Sequence, residues 1–136
     1  MTPSFKLNVE LPTDLFKVIP FIESVSEKIF TLTGSNEEAS KVKLALEEAL
    51  TNAMRHGNAL DPARKVTVRI EASPQEVILN VRDEGAGFDF QNLPDPTGSD
   101  HAGKPSGRGV FMMRKFMDEI VFYDGGSGVV MKKKFR

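Results

Sequence analysis

The stretch SNEEASKVKLALEEALTNAMRHG, residues 35–57, decides how the chain is read. Ser35-x-x-Glu38 has the form of a capping box, in which a hydroxyl and a carboxylate each satisfy a backbone N–H that a helix start leaves without a partner. Behind it, Val42, Leu46, Ala49 and Ala53 gather in one narrow arc of a helical wheel, with Ala45 and Leu50 on its two sides. Gly57 supplies a stop. The spacing predicts a helix from about Asn36 to His56 with one apolar face. Glu48, Asn52 and His56 fall at i, i+4 and i+8, in one row along the Ala45 flank of that face. Polar groups at the edge of a buried face are positioned to line a pocket; taken alone, a solvated carboxylate beside an amide is the commoner arrangement on helices.

Outward from this helix the pattern changes period. Phe5, Leu7, Val9 and Leu11 alternate with polar residues, the signature of a half-buried strand. Leu15, Val18, Ile19, Ile22, Val25 and Ile29 return to helical spacing. Pro20 predicts a kink or a later start there, and Gly34 ends the element. On the other side, Asn58 to Arg64 reads as a loop. Val66, Val68 and Ile70, then Val77, Leu79 and Val81, alternate on either side of Ser73-Pro74-Gln75, which predicts an antiparallel hairpin. Residues 89–106 are rich in Pro, Gly, Asp and Ser and show no period, as functional loops often do. A further helix is expected from roughly Arg108 to Glu119, with Val110, Met113, Phe116 and Met117 on its apolar side. Val121–Tyr123 and Val129–Phe135 then read as a closing hairpin around Gly125-Gly126-Ser127-Gly128. Lys132, Lys133, Lys134 and Arg136 read as the solvated end of its last strand. This order predicts an α+β fold: a two-layer α/β sandwich, mostly antiparallel sheet, with helices on one face.

Composition limits the function classes. The chain has 136 residues, enough for one domain over 1–136. With 40% hydrophobic and 27% charged residues it is ordinary globular material. A net charge of -1 provides no overall basic field for nucleic acid. The absence of cysteine removes disulfides and thiolate metal sites. No apolar run approaches the roughly 20 residues of a membrane span, and the N-terminus lacks the apolar core of a signal peptide. A soluble, cytoplasmic protein is expected.

Two glycine-containing segments complete the set of candidates. Asp83-Glu84-Gly85-Ala86-Gly87-Phe88 follows the Val77–Val81 strand. Its glycines permit a sharp turn and close approach of a ligand, and a carboxylate at a strand end can accept a hydrogen bond from an exocyclic amine such as that of adenine. Ser106-Gly107-Arg108-Gly109-Val110 opens a helix, where backbone N–H groups form an anion site. Neither segment is a dinucleotide fingerprint, because Phe90 and Met112 stand where the third glycine belongs, and no GxxxxGK[ST] loop is present.

In combination, EEALTNAMRHGN, VRDEGAGFD and SGRGVFMMRKFMDEI occur in an order that resembles the GHKL (Bergerat-fold, histidine-kinase-like) ATPases, over about residues 40–130. Within that superfamily the chain looks most like the bacterial anti-sigma-factor serine kinases. The resemblance implies ATP and Mg²⁺ as cofactors. It implies that Asn52 holds Mg²⁺ through its side-chain oxygen, that Glu48 is the general base, and that Asp83 reads the adenine amine beside Gly85 and Gly87. His56 closes the first motif and joins the nucleotide-contact candidates, although His56-Gly57 alone reads as a helix end. Gly107 and Gly109 would lie under the phosphates and residues 89–106 would be the ATP lid. Ser127 would stand in for a threonine of the last glycine box. Family members often carry an arginine near the lid's Ser-Gly; here Lys104-Pro105-Ser106 takes that place, leaving Lys104 or Arg108 as the cation on the γ-phosphate. The implied partners are a sigma factor and a small anti-anti-sigma (STAS-type) protein, which is phosphorylated on Ser or Thr, and a homodimer is the family's usual state. Two other readings stay open: a regulatory module that binds ATP without transferring it, and a histidine-kinase-type ATPase domain acting in trans.

Overall fold

The computed structural model describes residues 3–85 and 113–136. They form a five-stranded antiparallel sheet in the order β1-β2-β3-β5-β4. The strands are β1 (Phe5–Pro12), β2 (Lys65–Ala72), β3 (Glu76–Arg82), β4 (Glu119–Tyr123) and β5 (Gly128–Lys134). Two helices, α1 (Val18–Thr33) and α2 (Asn36–Asn52), connect β1 to β2 and cover one face. Alternation explains why: Val66, Val68, Ile70, Val77, Leu79, Val81 and Met131 point to the helices and are fully or almost fully buried, whereas Arg69, Glu71 and Arg82 point away and are exposed. This is the two-layer α/β sandwich expected. Among the described residues, no helix is long and apolar enough to cross a membrane.

The helix boundaries follow local chemistry. Pro20 is the third residue of α1, so it marks a later start rather than a kink. Gly34 ends α1 at φ 66°, with its N–H on the Phe30 carbonyl. The apolar arc of α2 is buried as its spacing required, from Val42 through Leu46, Ala49 and Leu50.

Three expectations need correction. The Ser35 hydroxyl does accept from the Glu38 N–H at 3.1 Å, but the reciprocal half of the capping box is missing. The Ser35 N–H goes to Thr33 Oγ1, and the Glu38 carboxylate turns into the core, where its Oε2 lies 3.5 Å from Lys133 Nζ. For the same reason Lys133 is not part of a solvated strand end: it falls on the inward face of β5 and is 5% exposed. The last helix ends near Phe116, short of Glu119. Asp118 pulls the chain into the sheet there, its N–H bonding to the Lys132 carbonyl at 2.9 Å and its Oδ2 accepting from the Lys134 N–H at 2.6 Å.

The Glu38–Lys133 pair is the one ion pair among the described residues in which both side chains are buried. Removing either partner strands a charge in the core. Glu38→Met or Lys133→Met alone is expected to cost about 3–5 kcal/mol. The double variant should cost far less than the sum, and urea unfolding of all four proteins measures that coupling.

Candidate functional site

The end of α2 is where the helix layer, the sheet and a glycine-rich turn meet. Beyond Asn52 the helix widens into a π turn, Ala53–Gly57, closed by the Asn58 N–H on the Ala53 carbonyl at 2.8 Å. Turns of this kind are rare and often accompany functional sites. The α-helical row therefore holds from Glu48 to Asn52 and is broken at His56.

Asn52, Asp83 and Ser127 are brought to one cleft, with Ala49 and Ala53 of α2, Val81 of β3, Met113, Phe122 of β4 and the Gly126–Val129 turn as its other walls. The free space between them is about 10 Å³, room for one water, so a nucleotide base needs the cleft wider than it stands. Asn52 is 5% exposed and its Nδ2 has no hydrogen-bond partner. A buried amide left so costs stability until a ligand satisfies it.

Asp83 is held from both sides. Its N–H donates to the Ser127 carbonyl at 2.9 Å, and its Oδ1 accepts from the Gly85 N–H at 2.8 Å. Burial raises its carboxyl above the ordinary range, opposed by the Gly85 hydrogen bond and by the charges of Arg82 and Arg64. Two glycines make this packing possible. A Cβ on Gly57 would fall 2.1 Å from Asp83 Oδ2, and one on Gly85 would fall 1.7 Å from the Gly57 carbonyl oxygen. Gly57 is thus a contact residue as well as the helix stop.

Ser127 lies in a tight turn in which Asp124, Gly125 and Gly126 all have positive φ. Its hydroxyl donates to the Asp124 carbonyl at 3.0 Å. Arg82, one residue before Asp83, grips Asp124 at 2.9 Å and stacks on the Tyr123 ring, which anchors that turn to β3.

The remaining candidates stand apart from these three. Glu48 is half-buried one turn before Asn52, and burial, then the neighbouring Glu47 charge, push its carboxyl upward. His56 is half-buried and is not among the residues lining the cleft; burial, then Arg55, hold its pKa down. Gly87, Lys104, Gly107, Arg108, Gly109 and the lid segment 89–106 lie outside the described residues. Among the described residues, no cluster of three acidic or imidazole side chains could hold a metal ion by itself.

One organising residue escaped the motif reading. Asn58, fully buried, donates from Nδ2 to Thr13 Oγ1 at 3.0 Å and to the Lys65 carbonyl at 3.1 Å, and its Oδ1 accepts from the Glu84 N–H at 2.8 Å. It ties the end of β1, the start of β2 and the Asp83 turn to the π turn. The residues after it, Ala59 and Leu60, sit in the left-handed region at φ 50° and 58°. An asparagine directly after the helix stop was the available signal, but its partners are far away in sequence.

Comparison with known proteins shows the family. The chain is 35% identical over 118 residues to the anti-sigma F factor of Clostridium perfringens (strain 13 / Type A), covering 82% of this chain and 83% of that one. It is 32% identical over 120 residues to the anti-sigma F factor of Geobacillus stearothermophilus, covering 82% and 80%. It is 28% identical over 106 residues to the serine-protein kinase RsbW of Listeria innocua, covering 73% and 68%. The family model described as histidine kinase-like ATPase domain matches residues 11–133. A chain matched over nearly its whole length, with an aspartate turn and a buried asparagine meeting at the end of α2, is an ATP-binding member of the histidine kinase-like ATPase domain family.

Proposed function

We propose that the protein is a cytoplasmic, single-domain anti-sigma factor that sequesters a sigma factor and, with ATP, phosphorylates a serine or threonine of a small anti-anti-sigma protein, which is thereby released. The observation that carries this reading is the convergence of Asn52 and Asp83 on one cleft with Glu48 one helical turn away. The relatives named anti-sigma F factor and serine-protein kinase RsbW support the regulatory and the enzymatic halves of it. The reading includes a homodimer, the state usual in the resembling family.

The roles follow from chemistry. Asp83 accepts a hydrogen bond from the adenine amine, in a turn where Gly85 keeps side chains out of the way. Asn52 holds the metal; when bound, Mg²⁺ supplies charge neutralisation on the β- and γ-phosphates. Glu48 takes the proton of the acceptor hydroxyl as the hydroxyl oxygen bonds to the γ-phosphorus and ADP departs with the bridging oxygen. Its upward-shifted pKa suits a base that must hold a proton during the step and release it afterwards. Gly87, Gly107, Gly109 and Ser127 complete the nucleotide contacts, His56 flanks them, and Lys104 or Arg108 meets the γ-phosphate.

Calorimetry tests the nucleotide site directly. Wild-type protein is expected to bind ATP in a Mg²⁺-dependent manner. Asn52→Ala should lose the Mg²⁺-dependent part, and Gly85→Ala should weaken ATP roughly tenfold or more, about 1.4 kcal/mol, by forcing the turn away from Gly57. Absence of ATP binding by the wild type would overturn the reading.

Glu48 separates catalysis from binding. Glu48→Gln is expected to abolish transfer of label from ATP to the anti-anti-sigma protein while leaving ATP affinity within a few-fold. Binding without transfer in the wild type would instead favour a regulatory ATP-binding module. The same variant makes a pH prediction. The folded protein holds the Glu48 proton more tightly than the unfolded chain, so this group makes stability fall as pH rises above its ordinary value of 4.5. Glu48→Gln should therefore raise the Tm at pH 7, and the gain should vanish below about pH 4, where the carboxyl is protonated in both states.

A further inference from the structure

The face of the sheet turned away from the helices holds a polar hollow. Thr67 and Arg69 of β2, Asn80 and Arg82 of β3 and Tyr123 of β4 line it. Its free space is about 150 Å³, against about 10 Å³ in the cleft, and no carboxylate is among its walls. Arg69 and Arg82 alternate with the buried Val68, Ile70 and Val81, so the hollow and the nucleotide cleft lie on opposite sides of the sheet.

Contacts across the strands shape this hollow. Tyr123 stands opposite Gly128 of β5, and its ring lies over that glycine: a Cβ there would fall 2.1 Å from the ring. With no side chain in the way, the ring crosses β5 and its hydroxyl donates to Asn80 Oδ1 on β3 at 2.7 Å. This bond occupies the amide oxygen of Asn80 and leaves its Nδ2 as a donor with no partner among the described residues. The Arg82 guanidinium lies over the same ring and reaches Asp124 at 2.9 Å. A guanidinium carries more N–H donors than one carboxylate oxygen uses, so Arg82 keeps donors to spare.

Arg69 differs from the other cations around it. Lys6, Lys65, Lys132 and Arg82 on this face each pair with a carboxylate. Arg69 is exposed and has no ion pair among the described residues; the residues opposite it are amides, Asn8 on β1 and Asn80 on β3. The nearby carboxylates of Glu71 and Glu10 are taken by Lys6 and Lys65. A guanidinium fork without a counter-charge, beside an amide donor and the Thr67 hydroxyl, is a set of groups suited to an oxyanion.

We propose that this hollow binds a phosphoryl oxyanion, either free phosphate or a phosphate monoester, through Arg69 and Asn80 Nδ2, with Thr67 and Arg82 completing the donors. Tyr123 is a positioning residue, since its hydroxyl turns the Asn80 amide so that Nδ2 faces the ligand. A carboxylate has two oxygens in one plane and leaves part of this donor set unused, whereas the terminal oxygens of a phosphoryl group spread over all of it.

NMR of the full-length, isotope-labelled chain, titrated with inorganic phosphate and separately with acetate, tests the proposal. Saturable shifts are expected at the Arg69 Nε–H and Asn80 Nδ2 signals, with phosphate bound more tightly than acetate. Arg69→Gln should weaken phosphate about tenfold or more. Lys134→Gln removes an equal charge from an exposed position outside the hollow and should leave phosphate binding within about twofold. Tyr123→Phe should keep the fold, verified by circular dichroism, and lose the preference for phosphate over acetate. A parallel titration with O-phosphoserine distinguishes the sources: tighter binding than inorganic phosphate assigns the site to an ester, weaker binding to the free ion, and either supports it. Equal losses in Arg69→Gln and Lys134→Gln would reduce the effect to the general field of the surface and overturn the site. Shifts confined to Asn52 and the Asp83 turn would put the phosphate in the nucleotide cleft and overturn it as well, as would the absence of any saturable response. None of these outcomes bears on ATP binding by the cleft.

Discussion

The cleft depends on the way the end of α2 is locked to the turn after β3. Gly57 lies against the Asp83 carboxylate, Gly85 lies against the Gly57 carbonyl, and Asn58 holds Glu84 by its backbone. No Cβ fits at either glycine, so the two segments approach more closely than any substituted backbone allows. This contact sets the separation between Asn52 on the helix and Asp83 at the strand end. The other side of the cleft is tied to Asp83 as well, because its N–H bonds to the Ser127 carbonyl beside the Arg82–Asp124 anchor.

Polar groups buried at this junction are hydrogen-bonded around a single fully buried amide, Asn58, with Thr13, Lys65 and Glu84 as its partners. Such a network specifies one arrangement, since breaking any bond leaves a buried polar group without a partner. The Asn52 amide stands outside it with Nδ2 unsatisfied. The contrast separates groups bonded within the fold from a buried donor that the fold leaves unpaired. Burial acts on the chemistry too, lifting both Glu48 and Asp83 above the usual carboxylate range. The same desolvation that suits Glu48 to the proposed proton transfer makes it a cost to the folded state.

The two faces of the sheet divide the work. The covered face carries the apolar core, the Glu38–Lys133 pair and the cleft. The open face carries solvent-exposed ion pairs such as Lys6–Glu71 and Lys65–Glu10, which contribute little to stability singly.

The sequence by itself determined the elements, the covered face and the identity of the polar groups at the cleft. Period-two runs in Val66–Ile70 and Val77–Val81, the α2 arc and the Gly34 stop are local properties, and local sterics and burial decide them. The family motifs, being short and contiguous, named Glu48, Asn52, Asp83 and Ser127, three of which meet at one cleft. Only the tertiary structure decided what depends on distant partners. A carboxylate three residues into a helix normally caps it; Glu38 turns inward because Lys133 waits there, 95 residues further along the chain. A run of three lysines reads as solvated until the register of β5 places its middle member on the covered face. The π turn that removes His56 from the Glu48–Asn52 row, and the partners of Asn58, follow from how α2 must end against β1, β2 and the Asp83 turn, and no local pattern encodes that fit.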